Sequence, residues 1–193
     1  MAISIEIKNL DRIEELIKSI PEEAEKELRK AVNKAEEAAH REALIQITRV
    51  YTIKMEAIAK EFTSIRASGS SLQAILQSRG RTRGAGNFNV TPKNMNPNPA
   101  WISKIGYSAE IIRGQTSHLS KDYFWLRGKG NNVHLFSREN RSDRGNVFKR
   151  FSTVSTPQML GNEAVISKVQ DITLAELEAV FIKGMERRLS KGG

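Results

Sequence analysis

The residues best suited to chemistry in this chain are three arginines that alternate with small residues, Arg79, Arg81 and Arg83. Guanidinium groups at this spacing on a glycine-rich segment can follow the phosphates of a nucleic acid or dock on an acidic protein. The pattern is also typical of a solvated loop, and the three interpretations stay open. Further basic residues complete the set of candidate contacts: Lys93, Lys129, Arg138, Arg141, Arg144, Lys149 and Arg150.

Residues for catalysis or metal binding are scarce. His40, His118 and His134 are isolated from one another in the sequence, and no cysteine is present, which excludes disulfides, thiolate metal sites and a cysteine nucleophile. No phosphate-binding glycine loop or serine nucleophile motif occurs. We therefore expect a protein that is not an enzyme, with no catalytic residues, cofactor or metal.

The positive charge is concentrated in the middle of the chain. Residues 62–156 hold 15 Lys/Arg against 4 Asp/Glu, a net +11, whereas residues 1–61 are net −2 and residues 157–193 are neutral. This asymmetry predicts that the middle segment meets a negatively charged partner.

The flanking segments have helical periodicity. A strand is predicted at 3–7 and a helix at 10–20, followed by a long Ala-rich helix from Pro21 to about Tyr51. Thr52 is expected to cap a short helix over 53–61. After Pro157, apolar spacing predicts a closing helix that restarts at Thr173.

The middle segment changes to an alternating pattern. Residues 79–100 have no periodicity and are expected to form a long loop, and residues 128–132 are expected to form a hairpin tip. Six strands are predicted, at 63–68, 71–78, 101–112, 123–127, 133–137 and 148–153.

These elements predict an α+β fold, with an antiparallel β-sheet or small barrel flanked by long N-terminal and C-terminal helices. At 193 residues the chain fits a single domain. Its segments are the N-terminal strand and helices (1–61), the basic β region (62–156) and the C-terminal helix (157–193).

The Ala-rich stripe of the long helix has two interpretations. Core packing within the chain is the simpler one. A subunit interface is the other, because the helix is long for so small a body. The candidate interface residues are Ala31, Ala35, Ala38, Leu44 and Ile47.

No apolar run approaches the ~20 residues needed to span a membrane. We therefore expect a soluble protein that is made in a cytoplasm and has no membrane partner.

The order of features resembles the prophage minor tail protein Z family, the tail-completion proteins of long-tailed bacteriophages. The resemblance begins with ISIEIKNLDRIEELI and continues with REALIQITRVYTIKMEAIAKEF, where a Tyr-x-Ile-Lys step at 51–54 ends the long helix. FSTVSTPQML then leads, through the Pro-Gln-Met at 157–159, into the closing helix. The chain departs from the family in its long loop and at 121–125.

The resemblance implies a structural virion protein at the head-proximal end of the tail, made in the host cytoplasm, that completes the tail for head–tail joining. It implies partners among other tail and neck proteins and a homo-oligomeric ring, by analogy a hexamer, around a channel for double-stranded DNA. A neck stopper or tail terminator is one alternative. A non-virion protein that binds nucleic acid without sequence preference is another.

Overall fold

The computed structural model describes residues 21–69, 71–92, 106–120, 122–127, 133–142 and 145–190, except the side chains at 21–23, 127, 138–142 and 145–147. It confirms the α+β fold. Its helices are α1 (Pro21–Val50), α2 (Met55–Ile58), α3 (Thr156–Leu160) and α4 (Glu163–Leu189). Its strands are β1 (Phe62–Ile65), β2 (Ile75–Ser78), β3 (Asn89–Thr91), β4 (Tyr107–Glu110), β5 (Thr116–Leu119), β6 (Tyr123–Arg127), β7 (Val133–Ser142) and β8 (Gly145–Arg150).

The strands form three small antiparallel sheets, β1-β2, β3-β4-β5 and β6-β7-β8. The chain divides into two compact units. The first, called unit 1, comprises residues 1–46, 60–79 and 160–193, and the second, called unit 2, comprises residues 47–59 and 80–159. The single domain stays a prediction, because two compact units can belong to one domain or to two.

Unit 1 is built on the packing of α1 against α4. Ala24, Ala31 and Ala35 of α1 form one buried cluster with large side chains of α4: Leu177, Phe181 and Met185. Alanines spaced by four and seven lie on one helix face, and their short side chains let the bulky residues of the partner helix approach closely.

Burial within the chain decides between the two interpretations of the Ala-rich stripe. Ala31, Ala35, Ala38 and Ile47 are buried within the chain itself, each with at most 5% of its surface exposed. Such residues have no surface to offer a second copy, so core packing replaces the interface hypothesis at these four positions. Leu44 is half-buried.

A glycine and an ion pair join the N-terminal part of α1 to the C-terminal part of α4. A Cβ at Gly184 would lie 2.8 Å from Glu27 Oε2, so glycine makes room for the carboxylate. Glu27 Oε1 accepts hydrogen bonds from Lys30 Nζ at 2.8 Å and from the Arg188 guanidinium at 2.9 and 3.1 Å. Charge-assisted bonds of this kind make the burial of Glu27 tolerable.

A second face of α1 holds β1. The Asn33 amide brackets Ala67: its Oδ1 accepts from the Ala67 N–H at 2.8 Å, and its Nδ2 donates to the Ala67 carbonyl at 3.3 Å. Ser64 donates to the Glu36 carboxylate, and His40 stacks on Phe62 with 5.4 Å between ring centroids. These contacts come from helix positions three or four residues apart, so a single helix face fixes the sheet of unit 1.

Unit 2 has its core between its two three-stranded sheets. Alternate residues of β3 and β4 (Val90, Tyr107 and Ala109) form a buried cluster with Trp125 of β6 and Leu135 of β7. The Tyr107 and Trp125 rings meet edge to face at 6.2 Å. Ala85, in a 3₁₀ turn at Ala85–Asn87, closes the cluster.

The C-terminal end of α1 belongs to unit 2. The Arg113 backbone N–H donates to the Val50 carbonyl at 2.8 Å, and Arg113 Nε donates to the Thr48 carbonyl at 3.0 Å. Both are carbonyls that a helix end cannot satisfy internally, and a cation there also suits the helix dipole. Unit 2 thus closes the helix whose other residues build unit 1.

Two predicted helix signals were wrong. Thr52 does not cap the short helix, because its hydroxyl donates to the Glu110 carbonyl instead, and the N-cap residue Lys54 makes no side-chain cap bond. Thr173 does not restart the closing helix, which is continuous and is capped by Asn162. Its hydroxyl donates to the Val169 carbonyl at 2.6 Å, one turn back, so a threonine is accommodated inside the helix.

The strand predictions were right for β6 and displaced at their ends for the others, and β3 and β5 were missed. β3 and the 3₁₀ turn lie inside the segment predicted to be a loop. The flanks of the predicted hairpin pair antiparallel, with Arg127 opposite Val133. The elements predicted at 3–7 and 10–20, the tip at 128–132 and residues 93–105 lie outside the described residues.

We predict that Phe181→Ala lowers the free energy of unfolding by about 3–5 kcal/mol, because it removes a fully buried ring from the α1–α4 cluster. Urea unfolding followed by circular dichroism measures the loss. Leu189→Ala is the matched control on the same helix, since 46% of Leu189 is exposed, and it should change stability by less than about 0.5 kcal/mol. Equal losses in the two variants would contradict the packing described for unit 1.

The Glu27 ion pair predicts how the free energy of unfolding depends on pH. Hydrogen bonds from Lys30 and Arg188, together with their charges, hold the pKa of Glu27 below its ordinary value of 4.5, while burial opposes them. A carboxylate whose pKa is depressed by folding stabilises the native state above the unfolded pKa, and that contribution is lost as the pH falls through the folded pKa. The stability advantage of the wild type over Glu27→Gln should therefore be full above pH 4.5 and shrink below it, in unfolding titrations at a series of pH values. An advantage that stays constant through the acid range would contradict the pairing.

Candidate anion-binding surface

The Arg-rich segment is held along residues 82–84 and does not form a free arm there. The Arg83 carbonyl accepts from the Thr153 N–H at 2.7 Å and from the Thr153 hydroxyl at 3.0 Å. Gly84 forms an isolated antiparallel bridge with Ser152, directly beyond the end of β8. The segment therefore lies beside the continuation of β8, in the manner of a short additional strand.

Arg83 has a structural role in unit 2. Its guanidinium donates to the Ala57 carbonyl at 2.8 Å and to the Thr156 hydroxyl at 3.2 Å, and the side chain is half-buried. These bonds fix the segment to the 47–59 part of the chain and to the start of α3. One nitrogen of this guanidinium is thus used within the chain, and the contact of Arg83 with an anion stays a prediction.

Arg150 binds the main chain one residue away from Arg81. Both side chains are exposed, and the Arg150 guanidinium donates to the Thr82 carbonyl at 3.2 Å, one residue from Arg81. This main-chain contact joins two segments that are far apart in the sequence, and each of them carries an exposed cation. Lys149, the residue that precedes Arg150, is also exposed.

His134 packs closely against the Arg-rich segment. A Cβ at Gly84 would lie 2.7 Å from His134 Nδ1, so the imidazole occupies space that only glycine leaves free. Burial, followed by the nearby positive charge of Arg150, lowers the pKa of His134 below its ordinary value. The ring is thus favoured in its neutral form and adds packing, rather than charge, to this surface.

The other predicted contact residues do not all join this surface. Arg79 belongs to unit 1: its N–H donates to the Glu61 carbonyl at 2.9 Å, and its exposed guanidinium donates to Gln77 Oε1 at 3.1 Å. Arg138 and Arg141 lie on β7, but their side chains are outside the described residues, as are Lys93, Lys129 and Arg144 entirely. Among the described residues of unit 2, the predicted contact residues that are exposed are Arg81, Lys149 and Arg150, and the last two, as neighbours on β8, point to opposite faces of their sheet.

The outer face of the β3-β4-β5 sheet forms an open polar groove of about 300 Å³. Its acidic group is Glu110, whose Oε1 accepts from the Gly114 N–H at 2.8 Å and whose Oε2 accepts from Asn89 Nδ2 at 3.2 Å. The Gly114 bond first, then Asn89 and the charge of Arg113, lower the pKa of Glu110. One carboxylate oxygen thus closes the β4–β5 turn, and the other binds Asn89 on the neighbouring strand β3.

Thr52 is a site residue that sequence reasoning misplaced. Its hydroxyl accepts from the Asn89 N–H at 3.2 Å while donating to the Glu110 carbonyl, and its own N–H donates to the Ile111 carbonyl at 3.0 Å. One threonine therefore ties the end of α1 to two strands of unit 2. The only local signal was its position after a helix, which suggested a cap.

The histidines and acids do not assemble into a metal site within the part of the chain that the structure describes. His118 Nδ1 lies 3.2 Å from the Ser108 hydroxyl, while His40 and His134 contact the rings of Phe62 and Phe136. Among the helices of the described ranges, none is both long and apolar enough to cross a membrane.

No family model, curated protein or solved structure matches this chain.

We predict that Arg83 and Arg81 differ sharply in their effect on stability. Arg83→Ala removes the bonds to Ala57 and Thr156 and should lower the free energy of unfolding by about 1.5–3 kcal/mol. Arg81→Ala removes an exposed side chain and should change it by less than about 0.5 kcal/mol. Parallel urea unfolding of the two variants tests this, and a similar small effect for both would show that residue 83 is not an anchor.

Proposed function

We propose that this chain is a structural, non-catalytic protein of a bacteriophage tail, which completes the head-proximal end of the tail and enables joining to the head. In this proposal several copies form a ring, and the basic surface of unit 2 faces the DNA channel. The observation that carries the proposal is the separation of charge between the two compact units.

The net positive charge of the chain lies in unit 2. Unit 2 contains 15 Lys/Arg against 5 Asp/Glu, a net +10, whereas unit 1 contains 16 against 17, a net −1. A unit with this excess attracts a polyanion by its field alone, without base-specific contacts. The near-neutral unit 1, with its helical core, is suited to protein packing.

The geometry supports contact with phosphates at a fixed position. Arg81 and Arg150 are both exposed, and the main chain next to Arg81 is fixed because Arg150 and Thr153 bind the Thr82 and Arg83 carbonyls. Cations held by the main chain lose less conformational freedom on binding than cations on a free arm. In a closed ring this pair would recur at each subunit and give a positive lining.

The tail assignment rests on the resemblance of the residue order to the minor tail protein Z family. The Tyr-x-Ile-Lys step falls at the end of α1, and the Pro-Gln-Met triplet falls within α3, directly before α4. A stopper or terminator of the neck would use the same surface in the same way.

A non-virion nucleic-acid-binding protein is the second candidate, and the charge of unit 2 favours it as well. The two differ in where binding strength arises. An assembly protein should bind duplex DNA weakly as a monomer and strongly as a ring, whereas a free binding protein should bind strongly as a monomer.

We predict that Arg81→Gln, Lys149→Gln and Arg150→Gln together impair head–tail joining. Particles would be produced by a phage that lacks the gene and is complemented with the variant, then counted by infectivity and imaged by electron microscopy. Unjoined filled heads and finished tails should accumulate, because three exposed cations of the channel surface are lost. With purified ring, the slope of log affinity against log salt for duplex DNA should fall by about 3.

The matched control is the triple variant Lys168→Gln, Lys183→Gln and Arg187→Gln, which removes the same charge from exposed positions of α4 in unit 1. It should join heads and tails normally. Normal joining with the unit 2 variant, or absence of the chain from purified particles, would contradict the proposal. Tight duplex binding by monomer, combined with absence from particles, would establish the second candidate.

A further inference from the structure

The β6-β7-β8 sheet carries phenylalanines on the face opposite to the unit 2 core. Trp125 and Leu135 point into the core, so their strand neighbours Phe124 and Phe136 lie on the other face. The strand register places Phe124 directly opposite Phe136. Phe148 of β8 lies on that face too, because its ring meets the Phe124 ring above the central strand, with 5.4 Å between centroids.

The three rings differ in exposure. Phe124 is 3% exposed and forms the floor of the cluster, whereas Phe148 is 42% exposed and Phe136 is half-buried. The Phe148 and Phe124 rings are inclined at 77°, an edge-to-face arrangement that supports the outer ring from below. A surface phenylalanine supported in this way is held in place before any partner arrives.

Cations border the exposed rings. Arg150 is the register partner of Phe136, is exposed, and is held by its bond to the Thr82 carbonyl. Arg138 is the register partner of Phe148. Arg81 lies one residue from the carbonyl that Arg150 binds. The Arg150 guanidinium therefore lies on the same sheet face as the rings of Phe136 and Phe148.

We propose that this face binds single-stranded nucleic acid, with bases stacked on Phe148 and Phe136 and with phosphates bound by Arg150. Unpaired bases offer their faces to aromatic side chains, whereas the bases of a duplex are already stacked on one another. The net charge of +10 on unit 2 favours a polyanion and disfavours a second copy of the same face. This activity goes beyond the tail role and does not depend on it.

The test is fluorescence anisotropy of a labelled oligothymidylate of about 15 nucleotides, within the range of ~4–16 nucleotides that stacking surfaces cover. The intact protein should bind it more tightly than a duplex of the same length. Phe148→Leu keeps an apolar side chain on Phe124 but removes the aromatic face, and it should weaken single-strand binding about 10-fold while changing duplex binding less than about two-fold. Phe148→Tyr should restore binding.

Ile65→Ala is the control, because Ile65 is an exposed large apolar residue of unit 1, and it should bind as the wild type does. Circular dichroism and thermal melting verify that each variant is folded. Equal binding by Phe148→Leu and the wild type, or equal weakening of the duplex, would overturn the proposal. Self-association of the wild type that Phe148→Leu abolishes, without single-strand binding, would overturn it in favour of a second copy.

Discussion

The structure depends on how one long helix is used along its length. Residues 21–46 of α1 supply the small side chains on which α4 packs, while its last turn is closed by Arg113 of unit 2. An isolated helix has little stability in water, so tertiary contacts must provide it. Buried alanines provide these contacts in the part of α1 that belongs to unit 1. At its C-terminal end, Arg113 provides them by binding the last carbonyls.

The charge of the chain follows the same division. Unit 1 carries nearly balanced charge, and its buried Glu27 and Glu36 are each hydrogen-bonded within the unit. Unit 2 has an excess of cations, and its Glu110 binds an N–H of the β4–β5 turn with one oxygen and the Asn89 amide of β3 with the other. The positive field of unit 2 is therefore not cancelled by its own carboxylates, which leaves it available for an external anion.

The sequence correctly predicted the features that follow from a regular spacing of apolar residues. The α+β class, α1 and β6 follow from apolar spacing that persists over the whole element. β3 and β5 are three or four residues long and mostly polar, and they are strands because they pair with β4, which periodicity cannot reveal. Thr173 failed as a helix signal because a hydroxyl can bond one turn back inside a helix.

The candidate site shows the same limit. The composition shows the excess of cations, but nothing in the sequence distinguishes the role of Arg81 from that of Arg83. Their separate roles come from Ala57 and Thr156, which are 26 and 73 residues away from Arg83. The aromatic face was equally hidden, since Phe124, Phe136 and Phe148 become neighbours only through strand register.

The clamp on residues 82–84 has a consequence for how such a surface can change in evolution. Arg150 and Thr153 bind the main-chain oxygens of Thr82 and Arg83, and every amino acid supplies such an oxygen. The course of the segment thus depends on Arg83, on Gly84 and on residues in and just after β8, and not on the side chain at residue 81. Substitutions at residue 81 can then add, remove or reverse charge while the backbone keeps its path, so the affinity of this surface can be tuned by selection independently of the fold.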